Sequence, residues 1–377
     1  MLNFKFNKYF YISVIINFIL LTFSFSSFSQ QSKCNEIEKI CLMLNQVVGI
    51  KTPMMVASGT IFNKDFIITN RHVIEDHKQV IIKFYDGSIK KAYPIPHNYP
   101  VDLVFLTLNK DRPLPYKLID PYSISGMLRV VAFDQGRNSN RIYKKGRIIV
   151  IPDNKKNVQA RIHTFAKSLP GNSGGAVVDD NGNLVGFLAS GDGNINEVIP
   201  FSLLNGVLKN SDAKHTIDFF KTGKFIRLCA DNLELAFNIQ RNPDPELIRN
   251  ITTNCWNSNN KQLIDQAGQT FGRLGDLKQS TIFLERSINL DPMSPNSLLS
   301  LAITYHIDRK IIKERPIINR LLKLIPEDPQ VLRLGVQVSG ILKDKKMSKT
   351  ILNLMSIHNK EALPLAKKFI DNAFKVN

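Results

Sequence analysis

Pro170-Gly171-Asn172-Ser173-Gly174-Gly175 and Phe66-Ile67-Ile68-Thr69-Asn70-Arg71-His72-Val73 are the two stretches whose reading decides the first half of this chain. In the first, glycines on either side of Ser173 permit a tight turn that exposes the hydroxyl and aims backbone N–H groups at one point, the arrangement a developing oxyanion requires. A serine hydroxyl is a poor nucleophile until a base takes its proton. In the second, His72 follows an apolar β-branched run, and an imidazole can accept a proton near neutrality and return it to a leaving group. Asp102, at the head of the apolar run Leu103 to Leu108, is the candidate acid that would hold the imidazole in its working tautomer. Each residue alone has an ordinary structural explanation. Their order, with 30 residues from His72 to Asp102 and 71 from Asp102 to Ser173, makes a catalytic constellation the expectation.

Around these residues the texture is that of many short strands. Gly59 to Phe62, Phe66 to Thr69, Val80 to Tyr85, Leu103 to Leu108, Arg147 to Ile151 and Leu184 to Leu188 are β-branched or aromatic runs separated by turns. Asp86-Gly87 and Asn181-Gly182 are hairpin signals, expected as type I′ turns. From about Asp212 onward, Leu, Ile, Lys, Glu, Ala and Gln recur at helical spacing instead. A multidomain chain is predicted, with an all-β barrel or sandwich first and an all-α part second.

Residues 47 to 209 resemble trypsin-like serine proteases of the HtrA/Deg kind. The likeness rests on Thr69-Asn70-Arg71-His72-Val73, on Asp102-Leu103-Val104-Phe105-Leu106, on Gly171 to Gly175, and on Val198-Ile199-Pro200 as a closing strand. It implies a chymotrypsin-like fold of two six-stranded barrels with His72, Asp102 and Ser173 in the cleft between them. It further implies an oxyanion hole made by the N–H groups of Gly171 and Ser173, and a substrate pocket near Lys167, Ala189, Ser190 and Gly191. Lys167 occupies the position six before the nucleophile, where an aspartate would select basic P1 residues. Small or medium apolar P1 residues are therefore expected, an acidic P1 paired with Lys167 being the alternative. Two departures stand out: Arg71 replaces a small or amide residue, and no PDZ-like domain follows. His163, ten residues before Ser173, is expected to be structural.

The helical part resembles tetratricopeptide repeats. Asp291-Pro292 and Asp328-Pro329 recur at 37 residues, against the family's 34, leaving a three-residue excess in the second unit. Gly268, Phe271, Ser280, Leu284 and Ser287 are expected packing positions, with Gly275 in the turn. Leu298, Leu301, Ala302 and Tyr305 with Ile317, Leu321 and Leu324 form the next unit, and a degenerate third begins at Leu334 and Gly335. Such a stack presents a groove suited to peptides or proteins.

Composition excludes several classes. With 377 residues, 43% hydrophobic and 22% charged, the chain is neither disordered nor a disulfide scaffold. The 50 Lys+Arg against 32 Asp+Glu give a net charge of +18, of which the part from Ser211 carries 25 against 17, so the excess is shared between halves. Lys343, Lys345, Lys346 and Lys349 read as a solvated face, and no nucleic acid partner is expected. Lys5 and Lys8 before the apolar run Tyr9 to Phe25, with Ser27 and Ser29 after it, predict a cleavable export signal over residues 1–29, with an uncleaved anchor as runner-up. The expected divisions are 30–209 for the protease domain, 210–255 for a helical linker and 256–377 for the repeats. Location is then periplasmic or extracellular, with no transmembrane segment after signal removal.

Export also predicts disulfides among Cys34, Cys41, Cys229 and Cys255. Neighbours in sequence suggest 34 with 41 and 229 with 255. A continuous helix from Lys33 to Leu44 would separate Cys34 and Cys41 by about 10.5 Å, too far for a bond. Either that segment is not one helix or Cys34 pairs elsewhere. No His, Cys and carboxylate cluster has ligand spacing, so no metal or cofactor is implied. The expected activity is a serine endopeptidase acting on protein substrates through an acyl-enzyme, with the helical part recruiting substrate or partner. The alternative is a catalytically silent protease-fold binding or chaperone protein of the cell envelope.

Overall fold

The computed structural model describes residues 34–109, 124, 126–191, 194–239 and 243–375, so the predicted export signal lies outside it. The chain divides at Glu36 into two units, and the second, Ile37–Asn377, holds every strand and helix named below. A short helix α1 (Glu38–Gln46) leads into β1 (Val47–Lys51), β2 (Val56–Asn63), β3 (Phe66–Thr69), the single turn α2 (Arg71–Ile74), β4 (Val80–Lys83), β5 (Ile89–Pro94) and β6 (Val104–Thr107). These six strands close into an antiparallel barrel in the order β1-β2-β3-β6-β5-β4. Val48, Ile50, Ile67, Ile82, Val104 and Leu106 fill it, which is why these runs are β-branched and aliphatic.

The second half contributes β7 (Arg129–Asp134), β8 (Ser139–Ile142), β9 (Ile148–Val150), β10 (Ile162–Thr164), β11 (Ala176–Val178), β12 (Leu184–Gly191) and β13 (Asn196–Pro200). They form one seven-stranded sheet, β8-β7-β11-β12-β13-β10-β9, where the sequence reading expected six strands in a second barrel. Phe66, Ile68, Leu103 and Phe105 from the first half pack with Phe187, Ile199 and Leu203 from the second, so one apolar seam joins the two. The two Gly turns differ in detail from the expectation. Gly87 and Gly182 adopt positive φ, but Asp86 and Asn181 do not, so neither turn is type I′. Lys83 pairs with Ile89, and the loop between them is longer than the two residues such a turn allows.

After α3 (Leu204–Lys209) the chain is helical: α4 (Thr216–Phe237), α5 (Pro245–Asn257), α6 (Lys261–Arg273), α7 (Leu277–Leu290), α8 (Pro295–Ile307), α9 (Ile311–Leu324), α10 (Pro329–Ile341), α11 (Lys345–His358) and α12 (Leu363–Lys375). The starts of α6, α8, α10 and α12 recur every 34 residues, as do those of α7, α9 and α11. The 37-residue spacing read from sequence compared non-equivalent prolines. Pro295 and Pro329 each open a helix behind a capping Ser294 or Asp328, whereas Pro292 corresponds to Pro326, so there is no excess. Helix starts are marked by an N-cap side chain followed by proline, and the earlier proline belongs to the preceding turn.

Small residues set how closely these helices pack. A Cβ on Gly268 would lie 2.7 Å from Leu284, and one on Gly335 2.9 Å from Ile351. Leu298, Leu301, Ala302, Tyr305, Ile317, Leu321 and Leu324 are all buried in the shared core, which also takes in Ile195 from the bend before β13. Cys229 and Cys255 are bonded and tie α4 to α5. None of the described cysteines is a free thiol, and the helix containing Cys41 begins only at Glu38, so the segment is not one continuous helix. No described helix is long and apolar enough to cross a membrane.

Candidate active site

The pairing of β3 with β6 brings the first two candidate residues together. Thr69 lies opposite Val104 in antiparallel register, so the residues just after β3 meet those just before β6. Asn70 Nδ2 donates to the Asp102 carbonyl at 3.0 Å, and the Arg71 N–H reaches the same oxygen at 3.2 Å. The Asp102 carboxylate then faces His72 twice. Oδ1 accepts the His72 backbone N–H at 2.9 Å, and Oδ2 lies 2.7 Å from Nδ1. Burial alone would raise the Asp102 carboxyl, but the charges of His72 and Arg161 and the hydrogen bonds from His72 outweigh it and hold the acid below its usual range. An ionised carboxylate only accepts, so the ring proton sits on Nδ1 and the Nε2 lone pair is left for another partner.

Ser173 is held from both halves. Ser58 of β2 donates its backbone N–H to the Ser173 carbonyl at 2.9 Å and its hydroxyl to the Gly171 carbonyl at 3.1 Å. Thr60 Oγ1 donates to the Gly174 carbonyl at 3.0 Å. On the other side, buried Asn172 donates to the Phe133 carbonyl at 2.9 Å and to Tyr143 Oη at 3.0 Å. The loop is therefore clamped between β2 and β7. Among the described residues, the N–H groups of Asn172, Gly174 and Gly175 are spent on carbonyls within the domain, while those of Gly171 and Ser173 make no hydrogen bond. Gly171 has φ +88°, a left-handed conformation that glycine adopts without strain. The Ser173 hydroxyl donates to the Ala189 carbonyl at 3.0 Å rather than to His72.

The remaining pocket candidates are spread along β12 and the loop before the nucleophile. Ala189 is buried, Gly191 exposed, and Ser190 between the two. Lys167 is exposed, its Nζ 3.5 Å from Asn194 Oδ1. Buried Asn196, which sequence reading passed over, accepts from Ser168 Oγ at 2.7 Å and donates to the Ala166 carbonyl at 2.6 Å. His163 is fully buried, with Nε2 2.8 Å from Asp291 Oδ2 at the end of α7.

Arg71 has its explanation in the helical part. Its guanidinium is stacked 3.7 Å over the ring of Phe219 on α4 and donates to the Phe219 and Glu75 carbonyls. Burial lowers it to about 9 even though Asp102, Asp76 and Glu75 pull the other way, so it stays charged at neutral pH. Arg227 of α4 adds a bidentate pair to Asp76 at 2.8 and 3.0 Å. Thus α4 lies against the turn that carries His72. A long cation where a small residue is expected was the one signal in the sequence for this contact.

Glu75 sits within that contact, and burial, reinforced by Asp231 and Asp76, raises its carboxyl from 4.5 to about 7. A folded value above the unfolded one means the favourable contribution is complete below pH 4.5 and lost as pH rises through 7. Glu75→Gln is therefore expected to stabilise the protein at pH 8 by about 1–2 kcal/mol, after allowing for partial solvent screening, and to give little at pH 4.5. Urea unfolding of both proteins at the two pH values checks this. An equal difference at both would contradict it.

The profile of the trypsin-like peptidase domain matches residues 57–187. The serine endoprotease DegS of Escherichia coli K12 is 32% identical over 159 residues, covering 39% of this chain and 44% of its own length. DegS of Haemophilus influenzae is 28% identical over 167 residues, 40% and 48% of the two. The chain thus spans less than half the length of these curated relatives. Among solved structures, the HtrA-type protease AlgW with tripeptide is 24% identical, with TM-score 0.38, covering 45% of this chain and 61% of that one. Residues 57–187 thus match the trypsin-like peptidase domain, and the closed barrel and second sheet that they help build have a chymotrypsin-like fold.

Proposed function

We propose that the chain is a serine endopeptidase in which Ser173 attacks the scissile carbonyl, His72 serves as base and then acid, and Asp102 orients the ring. The N–H groups of Gly171 and Ser173 would receive the oxyanion. The observation that carries this reading is the 2.7 Å contact of Asp102 with Nδ1, which leaves Nε2 as a base. The endoprotease activity of the DegS relatives agrees with it. With Lys167 exposed, its amine 3.5 Å from Asn194, and Asn196 and Ser168 neutral, the reading includes a P1 side chain that is small or medium and uncharged. The 34-residue helical pairs, read as tetratricopeptide-like, recruit a peptide, substrate or partner. The disulfide between Cys229 and Cys255 and the pattern of residues 1–29 support an exported protein divided near residues 209 and 255.

Labelling of the full chain with a fluorophosphonate, alongside casein degradation, tests the activity. Wild type is expected to label and to degrade casein, and both should vanish in Ser173→Ala and His72→Ala. A folded wild type that neither labels nor cleaves would sink the reading. The rival, a protease-fold binding protein, is favoured by one observation: the Ser173 hydroxyl is turned to the Ala189 carbonyl, so it must rotate before His72 can take its proton.

A further inference from the structure

Behind Asp102 lies a cluster of buried charges to which the peptidase domain contributes only part. Arg161, just before β10, places Nη2 3.5 Å from Asp102 Oδ2. Its Nη1 donates to Glu197 Oε2 at 2.8 Å and to Ser190 Oγ at 3.0 Å, and Ser190 Oγ donates to Glu197 at 3.0 Å. The other Glu197 oxygen accepts from Lys261 Nζ at 2.5 Å. Lys261 is the first residue of α6, and its ammonium also donates to Ser294 Oγ at 3.1 Å. Arg161, Glu197 and Lys261 are 2%, 3% and 1% exposed. Water cannot screen charges so placed, and each is tolerable only because the next one compensates it.

The signs alternate: Asp102 negative, Arg161 positive, Glu197 negative, Lys261 positive. Without the ammonium, two buried carboxylates would compete for one guanidinium, and Arg161 would be drawn from Asp102 toward Glu197. The same guanidinium holds Ser190 on β12, beside Ala189, whose carbonyl receives the Ser173 hydroxyl. We propose that Lys261 of the helical array is a positioning residue for the peptidase site, acting through Glu197 and Arg161 to hold Asp102 and the Ser190 segment of β12. The helical part thereby completes the site rather than merely adjoining it. A movement of α6, as on occupation of the array by a partner, would change the charge behind Asp102. This rests on the endopeptidase reading only for its catalytic consequence.

The charged and titratable groups around His72, Asp102 and the cluster behind them are Arg71, Glu75 and Asp76 beside His72, Arg161 and His163 at β10, Glu197 on β13, Lys261 and Asp265 on α6, and Asp291 at the end of α7. Removing one buried positive charge favours the protonated imidazole, and removing a negative one disfavours it. In Lys261→Met the acid limb of the labelling-rate profile of Ser173 should move up by roughly 0.5–1 pH unit. In Glu197→Gln it should move down by a similar amount. In the double variant, where the cluster is neutral again, it should return close to wild type.

A second readout needs no turnover: the far-downfield proton of His72 Nδ1–H in the NMR spectrum should shift in opposite directions in the two single variants and return in the double one. If Lys261→Met does not fold, Glu197→Gln and the double variant carry the same comparison. Profiles and resonances that superimpose on wild type in all folded variants would overturn the proposal, leaving Lys261 as a structural anchor. Absence of labelling in wild type would count against the endopeptidase reading alone, because the resonance decides the positioning role by itself.

Discussion

Asp102→Asn is expected to lower kcat by about 10³–10⁴-fold with little change in KM. The amide would offer Nδ2 to the ring where the carboxylate now accepts from it, and Oδ1 would still accept the His72 backbone N–H at 2.9 Å. The imidazole would then carry its proton on Nε2, the nitrogen that must act as base. The fold should survive, because Arg161 keeps its 2.8 Å contact with Glu197 and the Asp102 main chain keeps its bonds to Asn70 and Arg71. Circular dichroism together with steady-state kinetics on a peptide substrate checks both halves of the claim. Activity within tenfold of wild type would mean that Asp102 does not orient His72.

Gly174→Ala is the second large effect. Gly174 has φ +84°, and a Cβ there would lie 2.2 Å from the Ser58 carbonyl oxygen and 2.4 Å from Thr69 Oγ1. The backbone conformation alone costs an alanine about 1–2 kcal/mol. The overlap adds more, since neither atom belongs to a flexible side-chain end: Thr69 Oγ1 donates to that same carbonyl at 2.8 Å. A total loss of more than about 3 kcal/mol is expected in urea unfolding. Any relief would displace Ser58, which holds the carbonyls of both Gly171 and Ser173, so labelling should fall even in the molecules that fold. Gly87→Ala is the control: it has the same φ, but nothing lies within 4 Å of its Cβ position. It should cost only the backbone term, and equal losses in the two variants would contradict the steric account.

The parts of the site carried by local sequence were readable. Thr69 to Val73, Asp102 to Leu106 and Gly171 to Gly175 each combine a side chain with the strand or turn that presents it. The helical repeats were readable in outline, but their phase was misjudged by three residues because Asp-Pro pairs occur in both turns and caps. Only the N-cap bonds of Ser294 and Asp328 distinguish the two.

Sequence alone determined the strand-rich first half and the helical second half, because alternation, turn chemistry and capping act over a few neighbouring residues. It could not reveal what Arg71, Arg161, Glu197 and Lys261 do. Arg161, Glu197 and Lys261 look like ordinary charges in their own segments, and only Arg71, beside the histidine, stands out. Their partners lie far away in the chain, 148 residues from Arg71 to the Phe219 carbonyl and 64 from Glu197 to Lys261. Only the packing of the helices onto the peptidase domain brings these groups together and removes the water that would otherwise screen them. That desolvation turns scattered charges into a single chain ending at Asp102.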